Sequence, residues 1–226
     1  SAGKAHELSE GDTFYLGACR KGWKEAPRRQ PYSSVKAPQR AFSFKGNYMA
    51  SVLKRVEESE RVVKDAAQLK RKSFEEIIYD RFEPFIGSDV AEIEKRLDTR
   101  LNRSAKGYYA DLARRMMGVS TRKIEEFEKA DVSMKIIRLK HNGKPKEDMS
   151  FPYFRPDEIA AQPWGESDLH SDLERKFLFV VFQMDKEEKE ITLKKVFFWN
   201  MPFEDREDAG RTWNLVKEKI ISGDYG

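Results

Sequence analysis

The sequence has very few of the residues that form covalent cross-links or soft metal sites. Its 226 residues include one cysteine, Cys19, and three histidines, at positions 6, 141 and 170. A single cysteine excludes an internal disulfide, and histidines this scattered lack the spacing of a zinc site. A metal bound by this chain would therefore be a hard ion held by oxygen atoms.

Long apolar stretches are also missing. No apolar run approaches the roughly 20 residues that span a bilayer, and the N-terminus lacks the features of a signal peptide. We therefore expect a cytoplasmic protein. Apolar residues make up 39% of the chain and aromatic residues 12%, which is enough for a hydrophobic core.

The charge is small overall but unevenly distributed. The formal net charge is +4, with a net +7 in residues 1–55 and a net −3 in the remainder. Such asymmetry is typical of a protein with a polyanionic partner, and it is equally typical of a solvated basic face. Composition alone leaves both interpretations open.

Composition and periodicity divide the chain into an N-terminal arm and a domain. Residues 1–50, which begin with Ser1-Ala2 as in a cloning scar, are expected to form a basic arm packed on a domain of residues 51–226. Gly, Pro, Arg and aromatic residues dominate the arm. Its aromatic side chains argue against disorder, and they are Trp23, Tyr32, Phe42 and Phe44.

The domain has helical periodicity first and strand periodicity later. The predicted helices run from the capping box of Ser73 and Glu76 to Gly87, from Asp89 to about Leu101, and from Ala105 to Met117 before Gly118. The predicted strands are Asp131–Lys140, Lys146–Tyr153 after an Asn142-Gly143 turn, Phe177–Met184 and Glu190–Trp199. A last helix opens at Pro202, with inward Ala209, Trp213, Val216, Ile220 and Ile221. The pattern predicts an α/β (α+β) fold with a mixed sheet flanked by helices.

One strand has the form of a damaged metal site. A strand reading Glu-x-Lys, with a second acid upstream, places carboxylates and an ammonium around Mg²⁺ and a scissile phosphate. Here the strand reads Val132-Ser133-Met134-Lys135, so the lysine is present and the acid is replaced by serine. Taken alone, Lys135 would be an ordinary surface lysine, and the acidic run around Glu126 and Asp131 a solvated helix end.

Four stretches resemble known families. The run VSMKIIRLKHNGKPKEDMSF is similar to the Val-Glu-Leu-Lys strand, Gly-Lys-Pro turn and Glu-x-x-Phe segment of MutH, and FFWNMPFEDREDAGRTWNLVKEKIISG is similar to a later strand and helix of that family. The stretches GKAHELSEGDTFYLGACRKG and QPYSSVKAPQRAFSFKGNYM resemble the Sau-three-A type of GATC-cutting type II restriction endonuclease. The resemblance runs from Gly3 to Gly223.

This resemblance implies a restriction-endonuclease-like fold and the C-terminal, MutH-like half of such an enzyme. In that family the first half cuts with Mg²⁺, and the second is a degenerate copy that binds double-stranded DNA and supports the first. The carboxylate of the family's strand falls on Ser133, its lysine on Lys135 and its upstream acid on Glu126. A Lys-Gly pair with an acid eight residues later matches loosely as Lys72-Ser73 and Asp80. The fragment itself is expected to hold no metal and no cofactor.

DNA contacts would then come from basic side chains and a helix start. The candidates are Lys21, Lys24, Arg28, Arg29, Arg40, Lys45, Lys72, Ser73, Lys135, Lys140, Lys144 and Lys146. In MutH relatives an Arg-Pro element that reads bases lies beyond the last helix, so the domain is expected to be C-terminally truncated. Two alternatives remain at this point: a nuclease active by itself through Glu126, Asp131 and Lys135 with Mg²⁺, and a structural module that packs on the catalytic half.

Overall fold

The structure is a computed structural model that describes residues 4–12, 16–20, 27–53, 61–63, 71–122, 124–187 and 189–223. The strands are β1 (Leu16–Arg20), β2 (Arg28–Gln30), β3 (Ser33–Ala37), β4 (Arg40–Phe44), β5 (Val132–Leu139), β6 (Lys176–Met184) and β7 (Ile191–Asn200). The α-helices are α1 (Gly46–Leu53), α2 (Phe74–Phe82), α3 (Val90–Arg96), α4 (Tyr108–Met116), α5 (Glu125–Ala130), α6 (Pro156–Ala161), α7 (Asp168–Leu173) and α8 (Phe203–Ser222).

The described residues fall into two compact units. Unit 1 lies within Ser1–Lys45, Ser150–Lys176 and Asn200–Gly226, and unit 2 lies within Gly46–Met149 and Phe177–Trp199. The predicted division into an arm of residues 1–50 and a domain of residues 51–226 stays a prediction.

Unit 2 is built on a three-stranded sheet in the order β5-β6-β7. The central strand β6 is buried from Phe177 to Phe182, as its continuous apolar sequence predicts for a strand covered on both faces. Phe74 of α2 packs edge-on against Phe127 of α5, with ring centroids 5.8 Å apart. The capping box predicted at Ser73 and Glu76 is present. The expected α+β architecture is thus confirmed.

Unit 1 combines two antiparallel ribbons with α6, α7 and α8. The ribbons pair β1 with β4 and β2 with β3. Buried Arg206 of α8 joins distant parts of the unit, because its guanidinium donates to the carbonyl oxygens of Glu7 (2.9 Å) and Met201. The side-chain amide of Asn200 donates to Asp12 Oδ1 at 3.0 Å. The N-terminal residues are therefore fixed to this unit by polar bonds.

A cluster of aromatic rings forms the interior of unit 1. The ring of Trp164 lies 5.9 Å from that of Trp213 and 5.0 Å from that of His170, centroid to centroid. Gly210 of α8 allows this approach, because a Cβ atom at that position would lie 2.6 Å from Trp164 Nε1. The glycine is needed for close packing.

The predicted strand Lys146–Tyr153 is wrong. In the described structure the segment bonds to β5 through the Lys146 N–H, which donates to the Arg138 carbonyl oxygen at 2.8 Å, and an isolated bridge joins the preceding Pro145 to Leu139. Pro152, inside the segment, lacks the amide hydrogen that a strand ladder requires. The segment therefore continues as an irregular chain, although the predicted turn at Asn142-Gly143 is confirmed, with Gly143 at φ 80°.

Three smaller expectations also differ from the structure. Helix α3 ends at Arg96 because Asp98 adopts a left-handed backbone with φ 46°. Helix α4 begins at Tyr108, because residues 105–107 form a turn in which the Tyr108 N–H donates to the Ala105 carbonyl oxygen at 3.0 Å. Ile221, expected to face inward, is exposed in the last turn of α8.

Among the described residues, we find no helix with both the length and the apolar character needed to cross a bilayer.

Gly210→Ala should lower the free energy of unfolding. Overpacking against a rigid indole costs about 1–3 kcal/mol, which exceeds the roughly 1 kcal/mol by which a helix prefers Ala to Gly. Urea denaturation followed by tryptophan fluorescence measures the change. Gly46→Ala is the control, since a Cβ atom there would meet nothing within 4 Å. Equal stabilities of the native and Gly210→Ala proteins would contradict this account of the packing.

Candidate functional site

Glu126, the predicted counterpart of the family's upstream acid, is a buried structural group in unit 2. It lies in the first turn of α5 and is 7% exposed. Its Oε1 accepts the backbone N–H of Val63 at 2.9 Å, and its Oε2 accepts that of Val62 at 3.2 Å. Hydrogen bonds to a charged acceptor each contribute about 1.5–3 kcal/mol. Both carboxylate oxygens are therefore committed to the backbone.

The neighbouring Glu125 anchors the same segment through a side chain. Its carboxylate accepts from the guanidinium of Arg61, with Nη2 to Oε1 at 3.0 Å, and it also pairs with Lys129. The hydrogen bond from Arg61 is the main reason that the pKa of Glu125 lies below its ordinary value, and burial opposes the shift. The two glutamates thus hold residues 61–63 by both backbone and side chain.

Asp131 sits between α5 and β5 in a left-handed conformation, with φ 54°. Its Oδ1 accepts a hydrogen bond from Asn47 Nδ2 at 2.6 Å. A left-handed residue after a helix is usually Gly or Asn, so this aspartate is fixed by an unusual backbone as well as by a side-chain bond. The position turns the chain from the helix into the strand.

Ser133 and Lys135 lie on β5, and both are half-buried. Being two residues apart in a strand, they point to the same side of the sheet. A neutral serine hydroxyl does not supply the negative charge with which hard cations are bound. The strand therefore presents an ammonium and a neutral hydroxyl, and no carboxylate, at these two positions.

A Mg²⁺ site does not fit these residues. Releasing Glu126 for a metal would leave two buried amides unbonded, at a cost of about 1–3 kcal/mol each. In the part of the chain that the structure describes, no group of three or more His, Cys, Asp or Glu side chains is arranged to hold a metal ion.

Lys72, Ser73 and Asp80, which match the family only loosely, lie at the start of α2 and within it. Lys72 Nζ donates to Asp80 Oδ2 at 2.6 Å, and this bond raises the pKa of Lys72 above its ordinary value. Ser73 caps the helix by accepting the Glu76 amide at 3.2 Å. The lysine and the acid eight residues later are brought together, while the Ser73 hydroxyl is engaged in the cap.

The loop after β5 presents part of the predicted DNA surface. Lys140 and Lys144 are exposed on either side of the Asn142-Gly143 turn. Gln183 of β6 supports the loop by donating its side-chain amide to the His141 carbonyl oxygen at 3.2 Å. Lys146 is half-buried, with its ammonium 3.6 Å from Met184 Sδ. Two of the three predicted lysines are thus open to solvent.

The predicted residues of the arm differ in accessibility. Arg28 and Arg29 are exposed on β2. Arg40 donates to the carbonyl oxygens of Ala18 (2.6 Å) and Leu8, and Lys45 is buried. Lys21 and Lys24 lie outside the described residues. Arg40 and Lys45 are therefore poorly placed to contact DNA, because Arg40 is bonded to backbone carbonyl oxygens of unit 1 and Lys45 is buried.

The sequence reasoning missed the partners of the two glutamates. Nothing in the sequence distinguishes Arg61 from the other basic residues. The types of residues 62 and 63 likewise do not reveal that their backbone N–H groups are bound by a side chain. An adjacent pair of glutamates at a helix start was the available hint, since carboxylates at that place often accept backbone N–H groups.

Comparisons with known proteins agree with the resemblance. The family model "DNA mismatch repair enzyme MutH" matches residues 117–209, from the end of α4 into α8. The chain is also 35% identical, over 242 aligned residues, to the type II restriction enzyme Sau3AI of Staphylococcus aureus. The chain is thus similar both to MutH and to a type II restriction enzyme. The alignment with the restriction enzyme covers 98% of the chain and 49% of that enzyme, so the chain spans about half the length of its relative.

Replacing Glu126 with Gln should destabilise the MutH-like chain by about 1–3 kcal/mol, because the neutral amide offers one acceptor to two buried N–H groups. Urea denaturation measures the effect. Glu128→Gln, on the same helix but half-buried, is the matched control and should change stability by less than about 0.5 kcal/mol. Equal effects of the two substitutions would refute the structural role of Glu126.

The Glu125 pair should appear in the pH dependence of stability. A carboxyl whose folded pKa is depressed stabilises the fold above its ordinary pKa, near 4.5, and this contribution is lost as the pH falls through the folded pKa. Arg61→Gln should therefore flatten the stability curve below pH 4.5. The effect should stay under about 1 kcal/mol because Arg61 is largely exposed. Arg155→Gln, which removes an exposed pair with Asp157, is the control, and an identical curve for both variants would contradict this assignment.

Proposed function

We propose that this chain is a DNA-binding, catalytically degenerate half of a type II restriction endonuclease, with an allosteric or regulatory role. It would recognise GATC in double-stranded DNA, while a catalytic half of the same protein binds Mg²⁺ and cuts. The observation that carries the proposal concerns the two positions where the resemblance places metal-binding acids. Ser133 stands at one of them, and Glu126, at the other, is bonded to two backbone amides.

Exposed cations in each unit support the DNA-binding part of the proposal. Unit 2 offers Lys140 and Lys144 on the loop after β5, and unit 1 offers Arg28 and Arg29 on β2. Lysine and arginine side chains contact phosphates and place a protein on the duplex, while bases are read in the grooves. The loop geometry favours phosphate contact, because the turn directs two ammonium groups to solvent from a supported backbone.

The alternative of an autonomous nuclease is disfavoured by contacts already described. It requires Glu126 and Asp131 as metal ligands, but both oxygens of Glu126 accept buried backbone N–H groups and Oδ1 of Asp131 accepts from Asn47. Among the described residues, no specific contact favours the alternative of a purely structural module. Binding without cutting therefore accounts best for a chain that has kept basic surfaces and lost an acid.

The decisive experiment compares GATC and scrambled duplexes over a series of salt concentrations. We expect the purified chain to bind the GATC duplex more tightly at every salt concentration. Equal, weak and steeply salt-dependent binding to both duplexes would overturn specific recognition. Fluorescence anisotropy gives both the dissociation constants and the salt slopes.

Lys144→Gln should weaken binding to both duplexes equally and reduce the salt slope by about 1, as expected for the loss of one phosphate contact. Lys189→Gln is a matched control, because Lys189 lies in an acidic turn and pairs with Glu187 at 2.5 Å. An unchanged slope in Lys144→Gln would remove the loop after β5 from the proposed interface.

A further inference from the structure

The β2–β3 hairpin has features that folding alone does not require. Arg28 lies opposite Ala37 and Gln30 opposite Ser33, so Pro31 and Tyr32 form the turn at its tip. Gln30 secures the hairpin from inside, because its side chain donates to the Val35 carbonyl oxygen (2.8 Å) and accepts the Ala5 amide (2.7 Å). The tip is thus a supported turn on a narrow two-stranded ribbon.

Tyr32 is an unfavourable residue for this position. Its φ is 63°, in the left-handed region, where turns after a proline normally place Gly or Asn. Its side chain is 88% exposed, so little burial offsets the strained backbone. Strain at an exposed position is typical of a residue kept for contact with another molecule.

The charge around Tyr32 identifies the kind of partner. Residues 27–45 contain five Lys and Arg and no Asp or Glu. Two of the five, Arg40 and Lys45, serve the interior, whereas Arg28, Arg29 and Lys36 are exposed. Within the described chain none of these three has a carboxylate partner, and Arg28 binds only the amide oxygen of Gln39, at 2.9 Å from Nη2. Such a surface is complementary to a polyanion.

We propose that this hairpin enters a groove of double-stranded DNA, with the Tyr32 ring against the bases and Arg28, Arg29 and Lys36 on flanking phosphates. The inference rests on the proposed function and deepens it by naming a contact element in unit 1. The DNA major groove is wide enough for a two-stranded ribbon. Aromatic side chains contribute non-electrostatic affinity through contact with bases, while cations contribute the salt-dependent part.

The test separates the ring from the charges. Tyr32→Asn removes the ring and places a residue that tolerates the left-handed backbone, so the melting temperature should stay equal or rise. Its affinity for the GATC duplex should fall about tenfold at every salt concentration, since burial of roughly 50 Å² of the ring against base edges contributes about that factor. The salt slope should stay unchanged. Arg29→Gln should instead reduce the slope by about 1.

Two further variants test whether the loss of affinity is due to the aromatic ring at position 32. Tyr32→Phe keeps the ring and should bind within about twofold of the native chain, well inside the tenfold loss expected without it. Phe42→Thr removes another aromatic ring, on β4, that is 87% exposed and should also leave DNA affinity unchanged. Equal losses of DNA affinity in Tyr32→Asn and Phe42→Thr would overturn the assignment, because the effect would then not depend on the position of the ring.

Native DNA binding that survives Tyr32→Asn unchanged would overturn the hairpin contact and leave the proposed function standing. If the same variant instead altered the sedimentation of the chain, the hairpin would be a protein contact, which also overturns the proposal. Failure of the native chain to bind any duplex would overturn both the proposed function and this inference.

Discussion

The buried carboxylate of Glu126 is the interaction on which the account of unit 2 depends. It accepts two backbone amides from residues 62 and 63, and the adjacent Glu125 binds Arg61. An ionised carboxylate is costly to bury unless hydrogen bonds replace its hydration, and here two N–H donors do so. The side chain that the resemblance aligns with an acid of the metal site thus links helix α5 to a segment more than 60 residues away in the chain.

The residues of β5 favour DNA binding over hydrolysis. Metal sites of oxygen ligands need charged groups with free lone pairs, and β5 has the neutral Ser133 where the resemblance places an acid. The lysine of the strand is kept at Lys135, and basic side chains remain exposed on the loop after β5 and on β2. Electrostatic attraction to phosphate does not require the lost acid, so DNA binding is separable from hydrolysis.

Much of the fold follows from local sequence. The continuous apolar run of β6, the capping box of Ser73 and Glu76 and the Asn142-Gly143 turn each depend on residues close in the chain, and each was predicted correctly. The predicted strand after the turn is wrong because the hairpin turn signal alone does not specify a return strand, and Pro152 lacks an amide hydrogen for the ladder. The role of Glu126 was beyond sequence reasoning, since its partners are backbone amides more than 60 residues away. The strained Tyr32 was likewise visible only once its backbone angle was known.

The central claim is that the chain binds DNA without forming a metal site. The most direct test is a Mn²⁺ titration, followed by electron paramagnetic resonance, of the complex between the chain and a GATC duplex. The account predicts the same number of bound Mn²⁺ ions as for the duplex alone, with the duplex intact after long incubation. An additional bound ion that requires the protein and disappears in Glu126→Gln or Asp131→Asn, or cleavage of the duplex, would contradict it.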